Sequence, residues 1–301
     1  MHYIGIDAGG TKTLFALYDE QGNLLDTKVL GSCHFMKVGF KKMGKILKEG
    51  VRFLQEQNEL TSDEVTISFG LAGYGREEHV RKSIEDAIAQ EFNEYRHLLH
   101  NDVETALAGA FEGGDGIMLI AGTGSIAYMK QGENQRRSGG FGYILGDEGS
   151  AYDLAKKMLN TFTKEDDGRL EKTALYDLLM ERLSLKEPYD IISFVSDTLG
   201  NKRDEIAKLA PILNEAALIG DPEAIRIYRG GALELAALVN ALAKDVDETI
   251  GLACFGGVFS AGELIMGPLR NSLAENVFLI EPKFPPEYGA YLLARKSEEK
   301  K

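Results

Sequence analysis

The chain has 301 residues, of which 34 are Lys or Arg and 47 are Asp or Glu, so its formal charge is −13. Hydrophobic residues make up 44% and charged residues 27%, a composition that supports a sizeable core and, at this length, favours two domains. The acidic balance argues against a general binder of nucleic acid or of an anionic membrane, because both require a basic face. The acidic charge is still compatible with binding of a small anionic ligand, since backbone amides and a metal ion can bind phosphate.

The cysteine content and the N-terminal sequence indicate the cellular compartment in which the protein is expected. Cys33 and Cys254 are too few and too far apart in sequence to predict a disulfide framework or a zinc site, and they fit a reducing compartment. Met1 to Asp7 lacks the basic and apolar regions of a signal peptide. No run approaches the ~18 apolar residues that a membrane span needs. We therefore expect a cytoplasmic protein.

The first part of the chain alternates between two apolar patterns. Short apolar runs bounded by turn residues predict strands at 3–6, 13–18, 24–30, 65–70 and 98–102. Apolar residues at helical spacing predict helices over 38–54 and 80–92. The predicted order is β-β-β-α-β-α-β.

The second part opens in the same way as the first. Strands are predicted at 116–121 and 126–130, joined by a Gly-Thr turn, and a turn and a glycine-rich segment follow. Helices dominate 150–243, and the remaining predicted elements are strands at 250–255 and 277–280 and a helix at 287–295. The repeated opening indicates an internal duplication, that is, two α/β lobes. Their boundary is expected in the turn-like stretch from Glu112 to Asp115.

The turn after the first predicted strand has the residues of a phosphate-binding loop. Gly9 and Gly10 let the backbone approach a ligand closely, and successive amides in such a turn form a nest for an anion. Thr11 and Thr13 add hydroxyl donors, and Asp7 is placed to hold Mg²⁺ through water. For this motif in isolation, a tight hairpin turn with a surface Asp would be the better interpretation.

A second glycine turn, Gly122-Thr123-Gly124-Ser125, repeats the pattern. With Ala127 it also fits the G-x-G-x-x-A fingerprint of dinucleotide-binding folds. That fingerprint requires a helix after the turn and an acidic residue about twenty positions later. The segment that follows predicts a strand instead, and we reject the Rossmann interpretation.

Asn101 and Asp102 end a predicted strand, where open α/β sheets bind ligands. A carboxylate there can accept a proton from a substrate hydroxyl. The alternative is that Asp102 caps the helix that follows, and residue preference alone favours the cap at roughly two to one.

Two further glycine-dense stretches precede helices. The first consists of two neighbouring segments, Gly139 to Gly142 and Gly146 to Ser150. Its glycines suggest a backbone that wraps around a ligand, with the ring of Phe141 against that ligand. Its alternative is a helix lead-in in which acidic residues and a serine provide the cap. The other is Gly256-Gly257, for which the alternative is close packing of a helix on a strand.

Taken in order, these motifs resemble the actin-like ATPase superfamily of sugar kinases, actin and heat-shock chaperones. Within it the chain is similar to the N-acetylglucosamine kinase and BadF/BadG/BcrA/BcrD-type ATPase family. The motifs that carry the resemblance span almost the whole chain and lie at 7–13, 70–73, 101–102, 121–125, 139–142, 146–152 and 255–258.

The resemblance implies an α/β fold of two ribonuclease H-like (actin-like ATPase) lobes with a central cleft. The N-terminal lobe would comprise 1–114 and the C-terminal lobe 115–286, with a closing helix at 287–301 returning to the first lobe. The implied ligands are ATP, Mg²⁺ and a small-molecule sugar, with no iron–sulfur cluster, zinc, nucleic acid or membrane. Whether the chain forms a homodimer stays open.

The resemblance also implies a role for each motif. Asp102 matches the general base, which overturns the preference for a helix cap, and Asp7 would hold Mg²⁺ through water. The ATP phosphates would contact two loops, Gly9, Gly10, Thr11, Lys12 and Thr13 in one and Gly122, Thr123, Gly124 and Ser125 in the other. Gly256 and Gly257 would contact the adenosine. The sugar would contact His34, Gly73, Asn101, Gly140, Phe141 and Asp147.

Two departures from the family pattern concern the sugar. His34-Phe35 stands where family kinases commonly have Asn-His or Asn-Tyr, and Phe141 stands where they often have Trp. The expected function is ATP-dependent phosphorylation of an amino sugar, N-acetylglucosamine above others. The alternatives are an ATPase that activates a radical 2-hydroxyacyl-CoA dehydratase and a non-catalytic sugar sensor.

Overall fold

The structure is a computed structural model that describes residues 1–75 and 77–299. It contains two compact units, Met1–Asp115 together with Glu281–Lys301, and Gly116–Ile280. No helix within the described residues is long and apolar enough to cross a membrane.

Strands and helices alternate along the chain. The strands are β1 (His2–Ala8), β2 (Lys12–Tyr18), β3 (Leu24–Gly31), β4 (Val65–Leu71), β5 (Arg96–Asn101), β6 (Gly116–Ala121), β7 (Ser125–Gln131), β8 (Asn134–Gly139), β9 (Ile250–Phe255) and β10 (Val277–Leu279). The helices are α1 (Phe35–Val38), α2 (Phe40–Gln57), α3 (Glu78–Phe92), α4 (Asp102–Ala110), α5 (Ala151–Asp166), α6 (Ala174–Arg182), α7 (Asp190–Ser193), α8 (Arg203–Ala207), α9 (Ala210–Leu218), α10 (Pro222–Ala243), α11 (Glu263–Ser272) and α12 (Pro286–Glu299). Short 3₁₀ turns cover Ser62–Glu64 and Gly257–Ala261, and a π turn covers Phe194–Thr198.

The two sheets have the same topology, which confirms the α/β class and the duplication. The first sheet is ordered β3-β2-β1-β4-β5 and the second β10-β9-β6-β7-β8. In each sheet the hairpin strands pair antiparallel and the strands on the other side of the first strand pair parallel. The second sheet therefore repeats the first, strand for strand.

Strand β8 is an element that the apolar pattern does not reveal. It pairs with β7 from Ile126 opposite Gly139 to Gln131 opposite Asn134. Its sequence, Asn-Gln-Arg-Arg-Ser-Gly, contains no apolar residue, because β8 lies at the edge of the sheet and polar side chains are favoured there.

Both faces of the first sheet are covered, as expected for parallel strands. Ile4 and Ile6 of β1 are fully buried in a core formed with α2 and α3. Tyr3, one residue out of phase, lies on the other face and packs edge-on against Tyr291 of α12, with 5.4 Å between the ring centroids. This alternation follows from the two-residue repeat of a strand.

Helix α12 holds β1 in place and so fixes the strand that carries Asp7. Gly5 is required at this contact because a Cβ there would collide with the carbonyl oxygen of Glu287. Near the other end of the helix, the Glu298 carboxylate accepts hydrogen bonds of 2.7 Å from Tyr3 and from Thr66.

The core of the second unit lies between its sheet and a set of helices led by α5 and α10. Ile117 and Leu119 of β6 are fully buried in this core together with Met158 of α5 and Leu235 of α10. Two of the glycine turns follow directly after β6 and β9 of this sheet.

Candidate active site

The first candidate phosphate loop is the connection between β1 and β2. The turn is closed by a 3.1 Å hydrogen bond from the Gly9 amide to the Lys12 carbonyl. Gly10, Thr11 and Lys12 are exposed, and a Cβ added at Gly10 would meet no atom within 4 Å. The backbone of this loop is thus open to a ligand, as the glycine pair predicts.

Residues that follow β3 stabilise this loop through hydrogen bonds. Thr13 is fully buried, and its hydroxyl donates to the Gly31 carbonyl (3.0 Å) and accepts from the Cys33 amide (3.2 Å). The Ser32 hydroxyl donates to the Gly9 carbonyl at 3.2 Å. The Thr13 side chain therefore stabilises the loop rather than lining it.

A lysine that the motif analysis missed also contacts the loop. The Lys37 ammonium of α1 donates a 2.5 Å hydrogen bond to the Gly10 carbonyl. Neither Lys37 nor Ser32 belongs to a recognisable motif, because their approach to the loop depends on how the chain turns after β3. This contact brings a positive charge to the loop in a chain that is acidic overall.

Two carboxylates lie close together at the carboxyl ends of the parallel strands. Asp7 of β1 is in register with Gly70 of β4, and Gly70 is in register with His100 of β5, two residues before Asp102. Burial raises the pKa of Asp7, an effect that Lys12 partly opposes. Burial, and then the charge of Asp7, raise the pKa of Asp102 to about 6. Such a value suits a general base near neutral pH.

Asn101 is the N-cap of helix α4, so the residue preference that favoured Asp102 as the cap is wrong. The Asn101 side-chain oxygen accepts from the Val103 amide at 2.9 Å, and Glu104 completes a capping box. The Asn101 amide group donates to the Tyr74 carbonyl at 3.0 Å. Helix α4 begins at Asp102, whose carboxylate accepts a local bond from the Val103 amide (3.0 Å). Asn is as good a cap as Asp, which is why residue preference could not separate the neighbours.

The donor set near Asp7 fits Mg²⁺. Mg²⁺ prefers one or two carboxylates, with water and substrate phosphates supplying the other oxygens. Asp7 provides such a carboxylate, which burial destabilises as an anion. Among the described residues no group of three His, Cys, Asp or Glu side chains could hold a metal without such outside ligands.

His34 and Gly73, two candidate sugar contacts, lie together. Gly73 has φ +86°, and a Cβ there would lie 2.6 Å from Cε1 of Phe35 and 3.4 Å from Nε2 of His34. The His34 ring stacks on Phe35, and its Nδ1 accepts from the Met36 amide at 3.3 Å as the cap of α1. Burial, and then Lys37, lower the pKa of His34, so its imidazole is neutral at pH 7.

The second candidate phosphate loop, between β6 and β7, is built from internal bonds. The Gly122 amide donates to the Gly124 carbonyl at 2.9 Å, and the Ser125 hydroxyl donates to the Glu148 carbonyl at 2.6 Å. The Gly122 carbonyl accepts from the Ala151 amide at 2.8 Å, which joins the loop to the start of α5. The loop is followed by strand β7 and not by a helix, which confirms that the Rossmann interpretation was correctly rejected.

Asp147 lies beneath this loop. It is 4% exposed and has φ +64°, and its carboxylate accepts from the Ser125 amide at 3.2 Å. Its other oxygen lies 2.9 Å from the Arg203 guanidinium. The carboxylate therefore contacts the loop and pairs with an arginine that the motif analysis did not single out, while its Oδ2 has no hydrogen-bond partner among the described residues.

The other glycine-tract candidates, Gly140 and Phe141, follow β8. Gly140 has φ +71°, and a Cβ there would collide with Cδ1 of Ile126. The Phe141 side chain is 65% exposed, and the Arg137 guanidinium lies 5.1 Å from its ring centroid. Phe141 is thus available as an apolar surface for a ligand.

The two glycines after β9 have different environments. Gly256 has φ +114°, and a Cβ there would collide with the Ala121 carbonyl and lie 3.1 Å from the Gly122 nitrogen. A Cβ at Gly257 would meet no atom within 4 Å. Gly256 therefore packs against the second phosphate loop, while Gly257 faces open space that a ligand could fill.

Comparisons with known proteins match this chain along almost its whole length. An N-acetylmuramic acid/N-acetylglucosamine kinase of Clostridium acetobutylicum is 33% identical over 98% of each chain. An N-acetyl-D-glucosamine kinase of Dictyostelium discoideum is 29% identical over the same shares. The solved structure of a candidate N-acetylglucosamine kinase from Chromobacterium violaceum is 26% identical, covers 98% of each chain and superposes with a TM-score of 0.73.

The family assignment rests on a match along almost the whole chain. The model of the BadF/BadG/BcrA/BcrD ATPase family matches residues 4–294, a range that includes both glycine loops, Asp102 and the Gly256 turn. The resemblance stated from the motifs is thereby confirmed. The chain belongs to the BadF/BadG/BcrA/BcrD ATPase family.

Proposed function

We propose that this protein is an ATP-dependent kinase that phosphorylates an amino sugar. The observation that carries the proposal is Asp102, a carboxylate with a pKa of about 6 beside Asp7 at the carboxyl end of β5. The kinases of Clostridium acetobutylicum and Dictyostelium discoideum, which this chain matches over 98% of its length, are named for N-acetylated amino sugars.

The reaction needs one base and a means of neutralising phosphate charge. Asp102 accepts the proton of a sugar hydroxyl as its oxygen bonds to the γ-phosphorus of ATP. The bond from that phosphorus to the β,γ-bridging oxygen breaks, and ADP leaves with the electron pair. A pKa near 6 leaves Asp102 ionised at neutral pH and basic enough to take the proton.

The two glycine loops bind the phosphates of ATP through backbone amides. The open backbone at Gly10 and the nearby Lys37 ammonium support this role for the first loop. Asp7 would hold Mg²⁺, and the ion would neutralise charge on the phosphates. Gly257, with open space above its backbone, contacts the adenosine.

The sugar contacts are proposed at His34, Gly73, Gly140 and Phe141. The neutral imidazole of His34 can donate to or accept from a ring hydroxyl. Phe141 offers an exposed apolar ring for the methyl group of an acetamido substituent, at a gain of about 1 kcal/mol. Asn101 is engaged on both of its polar atoms, and so acts by holding the turn at Tyr74.

We expect N-acetylglucosamine to be the preferred acceptor. The prediction is that kcat/KM is highest for N-acetylglucosamine and lower for glucosamine and glucose, because only the first can place a methyl group on Phe141. Steady-state kinetics with the three sugars at one pH and one ATP concentration would measure the order. Phe141→Ala should reduce the preference for the acetylated sugar and leave the rate with glucosamine nearly unchanged. If glucose is the best of the three, the proposed contact between Phe141 and the acetamido methyl group is wrong.

A further inference from the structure

Arg203, at the first position of α8, lies against the second phosphate loop. Its Nη2 is 2.9 Å from the carboxylate of Asp147, which in turn accepts from the Ser125 amide. Asp147 is 4% exposed, and a charge so deeply buried requires a partner. Arg203 is therefore the counter-charge of the carboxylate that contacts the loop.

The pair also touches the loop backbone directly. A Cβ at Gly124 would collide with Nη2 of Arg203 and would lie 2.7 Å from the nearer oxygen of Asp147. The guanidinium carbon lies 5.9 Å from the centroid of the Tyr143 ring. The Nε of Arg203 is buried and, among the described residues, has no hydrogen-bond partner. The guanidinium is thus packed between the loop and an aromatic ring.

The hydrogen bonds leave part of the loop open to a ligand. The Gly122 amide is used within the turn and the Ser125 amide by Asp147. Thr123, between them, is exposed. The Ser125 amide contacts Asp147, and Asp147 contacts Arg203, so the arginine is linked to the exposed part through one residue.

We propose that Arg203 is a positioning residue for ATP: with Asp147 it holds the second phosphate loop in its binding conformation and places a positive charge beside it. The proposal rests on the proposed function, because it concerns the nucleotide of that reaction. It gives Asp147 a role in the nucleotide loop in addition to the sugar contact that the family resemblance implies.

The first test removes the guanidinium. Arg203→Met is expected to weaken binding of the ATP analogue AMPPNP with Mg²⁺, measured by isothermal titration calorimetry, and to raise the KM for ATP, each by roughly tenfold or more. The KM for the sugar should stay within about twofold. Arg203→Lys should recover part of the loss, because it keeps the charge without the planar fork. A merely structural role would lower the melting temperature and the active fraction without changing either KM.

Lys202→Met is the matched control. Lys202 is the neighbouring residue, is exposed, and loses the same charge in the variant. We expect its AMPPNP affinity and both KM values to equal those of the wild type. An equal loss of affinity in both variants would reduce the effect to general electrostatics and overturn the proposal.

The partner residue gives the second test. Asp147→Asn should also raise the KM for ATP, and the double variant with Arg203→Met should lose less than the sum of the single losses, because the two residues act together. The double variant also avoids an unpaired buried charge, so it keeps the test usable if Arg203→Met folds poorly. A rise in the KM for the sugar alone would assign Asp147 to the sugar and contradict the inference.

The two proposals fail in different ways. If wild-type protein binds AMPPNP and phosphorylates an amino sugar while Arg203→Met matches it in the KM for ATP, the inference falls and the proposed function stands. If wild-type protein does not bind AMPPNP, both fall.

Discussion

Replacing Asp102 with Asn is expected to slow phosphoryl transfer about 10²–10⁴-fold, the usual contribution of a positioned base. Asn keeps the size of the side chain but cannot take the proton. Binding of AMPPNP should be nearly unchanged, since Asp102 lies outside both phosphate loops. Single-turnover rates with Mg-ATP and the preferred sugar would measure the effect, and a variant with more than half the wild-type rate would remove Asp102 from this role.

The same substitution should make the protein more stable at neutral pH. Burial and Asp7 raise the pKa of Asp102 from 3.8 to about 6, which penalises the ionised form by at most roughly 3 kcal/mol. Because the pKa is higher in the folded state, the ionised carboxylate costs stability above pH 6, and the cost vanishes below about pH 4. The gain in melting temperature for Asp102→Asn should follow this pH dependence, which separates lost catalysis from lost folding.

The pKa of Asp102 also sets the pH dependence of the wild-type enzyme. kcat/KM should fall as the pH drops through about 6, because the base becomes protonated. A profile that stays flat from pH 8 to pH 5 would contradict the assignment of Asp102 as the base.

The second large effect is expected for Gly256→Ala. A Cβ there would collide with the Ala121 carbonyl oxygen and lie 2.6 Å from its carbon, and φ +114° is a conformation that alanine rarely adopts. We expect a loss of unfolding free energy of about 2–4 kcal/mol, together with a higher KM for ATP, because the displaced backbone begins the second phosphate loop. Chemical denaturation and ATP kinetics would measure the two effects.

Gly257→Ala is the control for this substitution. Apart from its chain neighbours, none of the described residues has an atom within 4 Å of the added methyl group, so the melting temperature should not change. If adenosine occupies the open space, a larger side chain, as in Gly257→Val, should weaken nucleotide binding. Equal destabilisation by Gly256→Ala and Gly257→Ala would show that the packing at Gly256 is not the cause.

The fold is largely predictable from the chain because its central strands are apolar runs between glycine turns. The duplication is visible for the same reason, since β1 with β2 and β6 with β7 share that pattern. Strand β8 is not predictable from apolar pattern, because an edge strand of polar residues has none. Comparison with β3, the equivalent edge strand of the first sheet, is the signal that could have found it.

The site is predictable where backbone chemistry defines it and not where tertiary contacts do. The glycine loops can be recognised from their residue composition alone. Lys37 and Arg203 do not, because each reaches its loop from a helix elsewhere in its unit. Asn101 and Asp102 have similar preferences as helix caps, and only the hydrogen bonds show which of them caps α4.

The most direct test of the amino-sugar kinase assignment is release of ADP by wild-type protein with Mg-ATP, measured with and without N-acetylglucosamine. We expect ADP to appear when the sugar is present, in a one-to-one ratio with a sugar phosphate identified by mass spectrometry, and only at a slow background rate without it. ADP release that is unaffected by N-acetylglucosamine, glucosamine and N-acetylmuramic acid alike would contradict the account and favour the dehydratase-activator alternative. Absence of ADP release under every condition would contradict it in favour of a non-catalytic sugar sensor.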